Sequence, residues 1–160
     1  MTRWFVPGRI EVLGKHTDYA GGSTLVAAVD RGGTISIEPG DSGITVSTDA
    51  APGELSLAAG HDPKLPAGHW GRYAQAVVDR LAANFGDLAP ARIRLTSDLP
   101  LASGMSSSSA LISAIVLGLA DFNGLPDTRT WQDNITDDAD LAGYLACHEN
   151  GMTFKNLVGA

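Results

Sequence analysis

Pro100-Leu101-Ala102-Ser103-Gly104-Met105-Ser106-Ser107-Ser108-Ser109-Ala110 joins two segments of different periodicity. Before it, Arg92-Ile93-Arg94-Leu95-Thr96-Ser97 alternates polar with apolar residues, which predicts a strand. After it, an apolar stretch over about 106–122, ending near Gly124, predicts a helix. A strand entering and a helix leaving aim the first-turn N–H groups of the helix into the loop. Those unpaired donors add to about half a positive charge of helix dipole, and such a place accepts an anion. Gly104 lets a phosphate approach the backbone, and the serines add hydroxyl donors without filling the space. A hydroxyl in the run could also ligate Mg²⁺, which prefers oxygen and bridges phosphates. The alternative is a helix capped by serine. Four consecutive serines are unfavourable for helix propensity, which weighs toward phosphate binding. No Gly-Lys-Ser/Thr follows, so the loop is not a Walker A motif.

Upstream, the pattern is mostly strand. Ile10-Glu11-Val12-Leu13 alternates, Thr24 to Val29 is nearly continuously apolar, and Gly14, Gly21-Gly22 and Gly32-Gly33 punctuate. Thr34-Ile35-Ser36-Ile37 and Ile44-Thr45-Val46-Ser47 alternate across Pro39-Gly40-Asp41-Ser42-Gly43, which predicts a hairpin. Gly60 to Gly68 reads as a surface loop. Trp70, Tyr73, Ala74, Val77, Val78 and Leu81 recur at spacings of three and four, predicting an amphipathic helix over about 69–84. A last helix is predicted from Asp138 to Asn150, stopped by Gly151. The tail Phe154 to Ala160 carries no stop signal, which predicts that the chain ends mid-structure.

The 160 residues carry a formal charge of −7, which argues against a duplex nucleic-acid binder. One cysteine excludes a disulfide framework and a multi-cysteine zinc site. Cys147 is expected to be a buried, inert thiol, and His16, His61, His69 and His148 have no metal-ligand spacing. His61 and His69 are expected to be solvated. The longest apolar run, near 110–120, is too short to span a bilayer, and the N-terminus lacks a signal peptide's apolar stretch. These features predict a cytoplasmic α/β or α+β protein.

A second informative stretch is Pro7-Gly8-Arg9-Ile10-Glu11-Val12-Leu13-Gly14-Lys15-His16-Thr17-Asp18-Tyr19-Ala20-Gly21-Gly22. Arg9, Lys15, His16, Asp18 and Tyr19 crowd donors and acceptors between two strands, as sugar recognition requires. Solvated charges on a polar hairpin are the alternative.

This second stretch resembles the galactokinase signature. Pro100 to Ala110 resembles the second motif of the GHMP kinase superfamily, which includes galactokinase, homoserine kinase, mevalonate kinase and phosphomevalonate kinase. Trp70-Gly71-Arg72-Tyr73 and Val29-Asp30-Arg31-Gly32 also look like the galactokinase pattern. The resemblance implies an α+β fold: a mixed sheet, helices packed on one face, and a left-handed βαβ unit that breaks the usual right-handed rule. It further implies that residues 1–160 are the ATP- and sugar-binding N-terminal domain, truncated, with the C-terminal GHMP domain absent.

The same resemblance implies ATP-dependent phosphorylation of a monosaccharide with Mg²⁺ as cofactor. Gly104, Met105, Ser106, Ser107, Ser108 and Ser109 would hold phosphates, with Ser108 and Glu149 beside the metal. Glu149 could instead be an exposed helix-end carboxylate. Arg9 would lie beside the reacting hydroxyl, and His16 and Asp18 would bind sugar hydroxyls with Tyr19 next to them. Galactokinases usually carry Glu where this chain has Lys15, which points to a sugar acid or other anionic sugar; a solvent-facing lysine is the alternative. No aspartate matches the family's catalytic base, so the chain alone is expected to be weakly active or inactive. A bare interdomain face of the order of 600–1,500 Å² is expected to make it self-associate. A non-catalytic sugar- or nucleotide-binding module on the same scaffold is the competing reading.

Overall fold

The computed structural model describes residues 1–14, 21–100 and 104–159. Five strands, β1 (Thr2–Leu13), β2 (Leu25–Pro39), β3 (Ile44–Thr48), β4 (Ala51–Leu57) and β5 (Ala91–Ser97), form one sheet in the order β1-β2-β5-β3-β4. Among the described residues, only the β3–β5 pair is parallel. The helices are α1 (Gly71–Phe85), α2 (Ser107–Phe122), α3 (Arg129–Asn134) and α4 (Asp138–Asn150), with a 3-10 turn at Leu125–Asp127. This is the mixed-sheet α+β architecture expected.

Alternation decides which face of the sheet is covered. Along β5, Ala91, Ile93 and Leu95 are buried while Arg92 and Arg94 are exposed. The buried set meets Ile35 and Ile37 of β2, Val46 of β3, and the apolar stripes of α1 (Ala74, Val77, Val78, Leu81) and α2 (Ile112, Ile115, Val116, Leu119). Each Val, Leu or Ile side chain among them contributes roughly 1.5–3 kcal/mol when fully buried. Helix α2 packs on the sheet, α1 and α4, so it is apolar nearly all round. Gly118 lets it approach: a Cβ there would stand 3.0 Å from Ile37 Cδ1 and 3.1 Å from Ile35 Cδ1.

The expected hairpin at 39–43 does not form. β5 inserts between β2 and β3, pairing antiparallel with the first and parallel with the second. The turn instead wraps the start of β5, with Gly40 donating to Pro90 O at 2.9 Å and Ala91 donating to Gly43 O at 2.9 Å. A turn that spans two strand spacings has the same glycine and proline content as one that closes a hairpin, so local sequence does not separate them.

Other differences are local. β2 runs through Gly32-Gly33, and β4, α3 and the 3-10 turn are additional elements. The segment containing Thr24 to Val29 is not core: Leu25 and Val26 are exposed. His69 is half-buried, its Nδ1 accepting from the Gly71 amide at 3.1 Å while its ring stacks on Trp70. Cys147 is only partly buried, its Sγ 3.8 Å from Thr153 O. The Gly60 to Gly68 loop and α4 (Asp138–Asn150) fall where expected, with Gly151 capping α4 at φ 66°. No helix among the described residues is long and apolar enough to cross a membrane.

Candidate active site

The serine run does not cap α2. Ser106 occupies the N-cap position in the left-handed region (φ 53°, ψ 45°), and its hydroxyl makes no capping hydrogen bond. Gly104, two residues earlier, is also left-handed at φ 71°. No acidic side chain lies in the first turn of α2. The positive end of the helix dipole therefore faces the loop with no carboxylate of its own first turn to offset it. A serine held in the left-handed region costs of order 1–3 kcal/mol, and such strain gathers at functional sites.

Ser106 Oγ accepts instead from Arg9, with Nε at 3.3 Å and Nη2 at 3.0 Å. The Arg9 backbone amide also donates to Met105 O at 3.2 Å. A register shift in β1 between Pro7 and Arg9 accompanies this contact, as bulges re-aim side chains. Two motifs 97 residues apart thus meet in one place.

Glu149, exposed in the last turn of α4, faces the same helix start. Its carboxylate accepts from Ser109 Oγ at 2.9 Å (Oε1) and 2.8 Å (Oε2), and from Ser108 Oγ at 3.4 Å. The nearer partner is Ser109, one residue beyond the hydroxyl singled out from sequence. The serine hydroxyls and the positive end of α2 both favour a carboxylate there.

Ser107 and Ser108 border a cleft of about 700 Å³ between α2, the middle of β2, the end of β5, the β3–β4 turn and the start of α1. Leu95, Leu99 and Leu111 give it apolar walls, and Trp70 and Tyr73 add rings. The β3–β4 turn, Thr48-Asp49-Ala50, also lines it, and no local motif in the sequence marks that turn as part of a site. Nearby, Asp98 Oδ1 accepts from the Gly32 amide at 2.7 Å, tying β2 to the chain leaving β5. Of the other sequence candidates, Lys15, His16, Asp18 and Tyr19 lie outside the described residues, between Gly14 and Gly21.

The chain is similar to known proteins both in sequence and in fold. Residues 72–150 match the GHMP kinases N terminal domain family, and residues 2–39 match the Galactokinase galactose-binding signature. The galactokinase of Streptomyces coelicolor is 32% identical over 136 residues, covering 81% of this chain and 34% of the relative. That of Mycobacterium tuberculosis is 33% identical over 111 residues, covering 69% and 30%. The Lactococcus lactis galactokinase complexed with galactose superposes with TM-score 0.75 at 22% identity, over 93% of this chain and 37% of that one. The Methanococcus jannaschii mevalonate kinase does so with TM-score 0.67 at 17% identity, over 93% and 47%. The chain spans about a third of the length of these curated relatives. Arg9 falls within one family match and the serine run and Glu149 within the other, and the chain belongs to the GHMP kinase superfamily as a galactokinase-like member.

Proposed function

We propose that residues 1–160 form the ATP- and sugar-binding domain of a kinase that transfers the terminal phosphoryl group of ATP to a monosaccharide hydroxyl. The observation that carries this reading is the meeting of Arg9, the uncapped start of α2 and Glu149 beside an apolar cleft. In it, the cleft takes the nucleotide base, which apolar walls and rings suit. The phosphates lie over Gly104 to Ser109, against the α2 amides. Arg9, always charged, offsets negative charge developing on the transferring group.

The donors suit Mg²⁺. The Ser108 hydroxyl and Glu149 carboxylate are hard oxygen ligands, and no three His, Cys, Asp or Glu side chains gather into a metal cage among the described residues. Mg²⁺ is held by one or two carboxylates together with substrate phosphates, and when bound it neutralises phosphate charge. His16, Asp18 and Tyr19 bind the sugar in this reading. Lys15 stands where galactokinases carry Glu, and it favours a sugar bearing an acid group; galactose preferred strongly over galacturonate would reject that choice. The general base, a group worth about 10²- to 10⁴-fold in rate, is assigned to none of these residues. Its setting is the cytoplasm. Nothing in the site favours a non-catalytic module.

A thermal-shift titration with Mg²⁺-ADP tests the nucleotide site. At about 100 times its dissociation constant a ligand adds roughly 2.7 kcal/mol to the folded state. A saturable, Mg²⁺-dependent shift that Ser108→Ala abolishes is expected. Equal shifts in both proteins, or none in either, would reject the assignment.

A further inference from the structure

Arg80, on α1, is 1% exposed, and no carboxylate pairs with it among the described residues. A buried guanidinium in that state is costly unless its donors are used. Two of them are: Nη1 donates to Cys147 O at 2.5 Å and Nη2 to Met152 O at 2.6 Å. The guanidinium carbon also lies 5.3 Å from the centre of the Tyr144 ring. Cys147 and Met152 bracket the end of α4, where orphan carbonyls and the negative end of the helix dipole want a cation. The carbonyl of Cys147 further accepts from the amides of Gly151 and Met152, so the last turn of α4 closes into a knot around one oxygen. Glu149 lies between these bonded residues in sequence, its side chain exposed. One turn along α1, Asn84 donates to Val158 O at 3.2 Å and accepts from the Val158 amide at 2.7 Å, which holds the chain after α4.

We infer that Arg80 is a positioning residue for Glu149, its buried guanidinium fixing the last turn of α4 so that the carboxylate stands against the Ser108 and Ser109 hydroxyls. The inference rests on the reading of Glu149 as a metal ligand. Arg80 itself touches neither nucleotide nor sugar. Its planar fork spans two carbonyls that a lysine ammonium, a single compact charge, cannot satisfy together.

The test compares the 160-residue chain with Arg80→Met, Arg80→Lys, Glu149→Gln and the Arg80→Met/Glu149→Gln double variant. Mn²⁺ in the presence of ADP is the probe, followed by electron paramagnetic resonance; metal-free ADP binding and amide hydrogen exchange at residues 147–152 are read in parallel. Arg80→Met is expected to weaken Mn²⁺ binding about 10-fold or more, the usual cost of losing a residue that supports a ligand. Metal-free ADP binding should stay within about twofold, because the cleft lies away from Arg80. The double variant should bind Mn²⁺ no more weakly than Glu149→Gln alone, since both changes disable one carboxylate. Exchange at 147–152 should quicken, and Arg80→Lys should fall between wild type and Arg80→Met. If Arg80→Met does not fold, Arg80→Lys carries the comparison, with the same order expected. A weakened Glu149→Gln beside unaffected Arg80 variants, or additive losses in the double variant, overturns the inference alone. Undiminished Mn²⁺ binding by Glu149→Gln overturns the metal reading and the inference with it.

Discussion

Both carboxylate oxygens of Glu149 receive the Ser109 hydroxyl, at 2.9 and 2.8 Å, across 40 residues of sequence. The contact joins the end of α4 to the start of α2, opposing a negative side chain to the positive end of a helix dipole. It places hard oxygen donors beside the loop assigned to phosphate. Glu149→Gln keeps the shape but removes the charge, so the Mg²⁺ concentration giving half the ADP-induced thermal shift should rise about tenfold or more. A Mg²⁺ titration of both proteins at fixed ADP checks this. Identical midpoints would detach Glu149 from the metal.

Gly8 is buried under the same loop. A Cβ at this position would stand 2.5 Å from Leu99 Cδ2 and 3.1 Å from Met105 O. Gly8→Ala should destabilise by about 1–3 kcal/mol through overpacking. It should also push Met105 away from the Arg9 amide and weaken Mg²⁺-ADP binding. Thermal unfolding with and without nucleotide separates the two effects. An unchanged melting temperature would mean that β1 yields freely there.

Asp140 ties α4 to the segment after it. Lys155 Nζ lies 2.6 Å from Asp140 Oδ2, and Thr136 donates to that oxygen through its hydroxyl at 2.6 Å and its amide at 3.0 Å. Chiefly the Lys155 contact, then those from Thr136, hold the Asp140 carboxyl down to about 2. An unfolded aspartate titrates near 4, so this contribution is complete above about pH 4. It is lost as pH falls through about 2. Asp140→Asn should therefore flatten the fall in melting temperature on acidification, with little further effect below pH 2. Parallel acid titration curves would show that the pair contributes nothing.

The paired ends of β1 and β2 carry exposed apolar side chains: Ile10, Val12 and Leu13 on one strand, Leu25 and Val26 on the other. Leu13 is 66% exposed and opposite Leu25 at 54%. Exposed apolar side chains paired in this way, as Leu13 is with Leu25, favour association. Sedimentation velocity should show concentration-dependent self-association of the chain, lost in Leu13→Lys/Leu25→Lys. A wild-type chain that stays monomeric over a hundredfold range of concentration would reject it.

Much of the site was legible locally. Gly104 to Ser109 announces a loop at a helix start through side-chain size and backbone freedom alone. Arg9 and Glu149 were legible through family resemblance, since a lone arginine and a helix-end glutamate have no local signature. Their meeting with Ser106 and Ser109 is a matter of packing. Arg80 was not legible at all. On an amphipathic helix an arginine reads as solvated, and only the approach of the Cys147 and Met152 carbonyls makes it a buried clamp.

What sequence alone determined are features of short range: where β5, α1, α2 and α4 lie, which face of β5 and of α1 is apolar, and where Gly151 ends α4. Periodicity and stop residues act within a few positions, so they survive without a partner. What only the tertiary structure decided is which elements are neighbours. β5 enters between β2 and β3 because its buried Ile93 and Leu95 complete a core with Ile35, Ile37 and Val46 drawn from both. That choice depends on contacts summed over the whole fold. No segment, read alone, contains it.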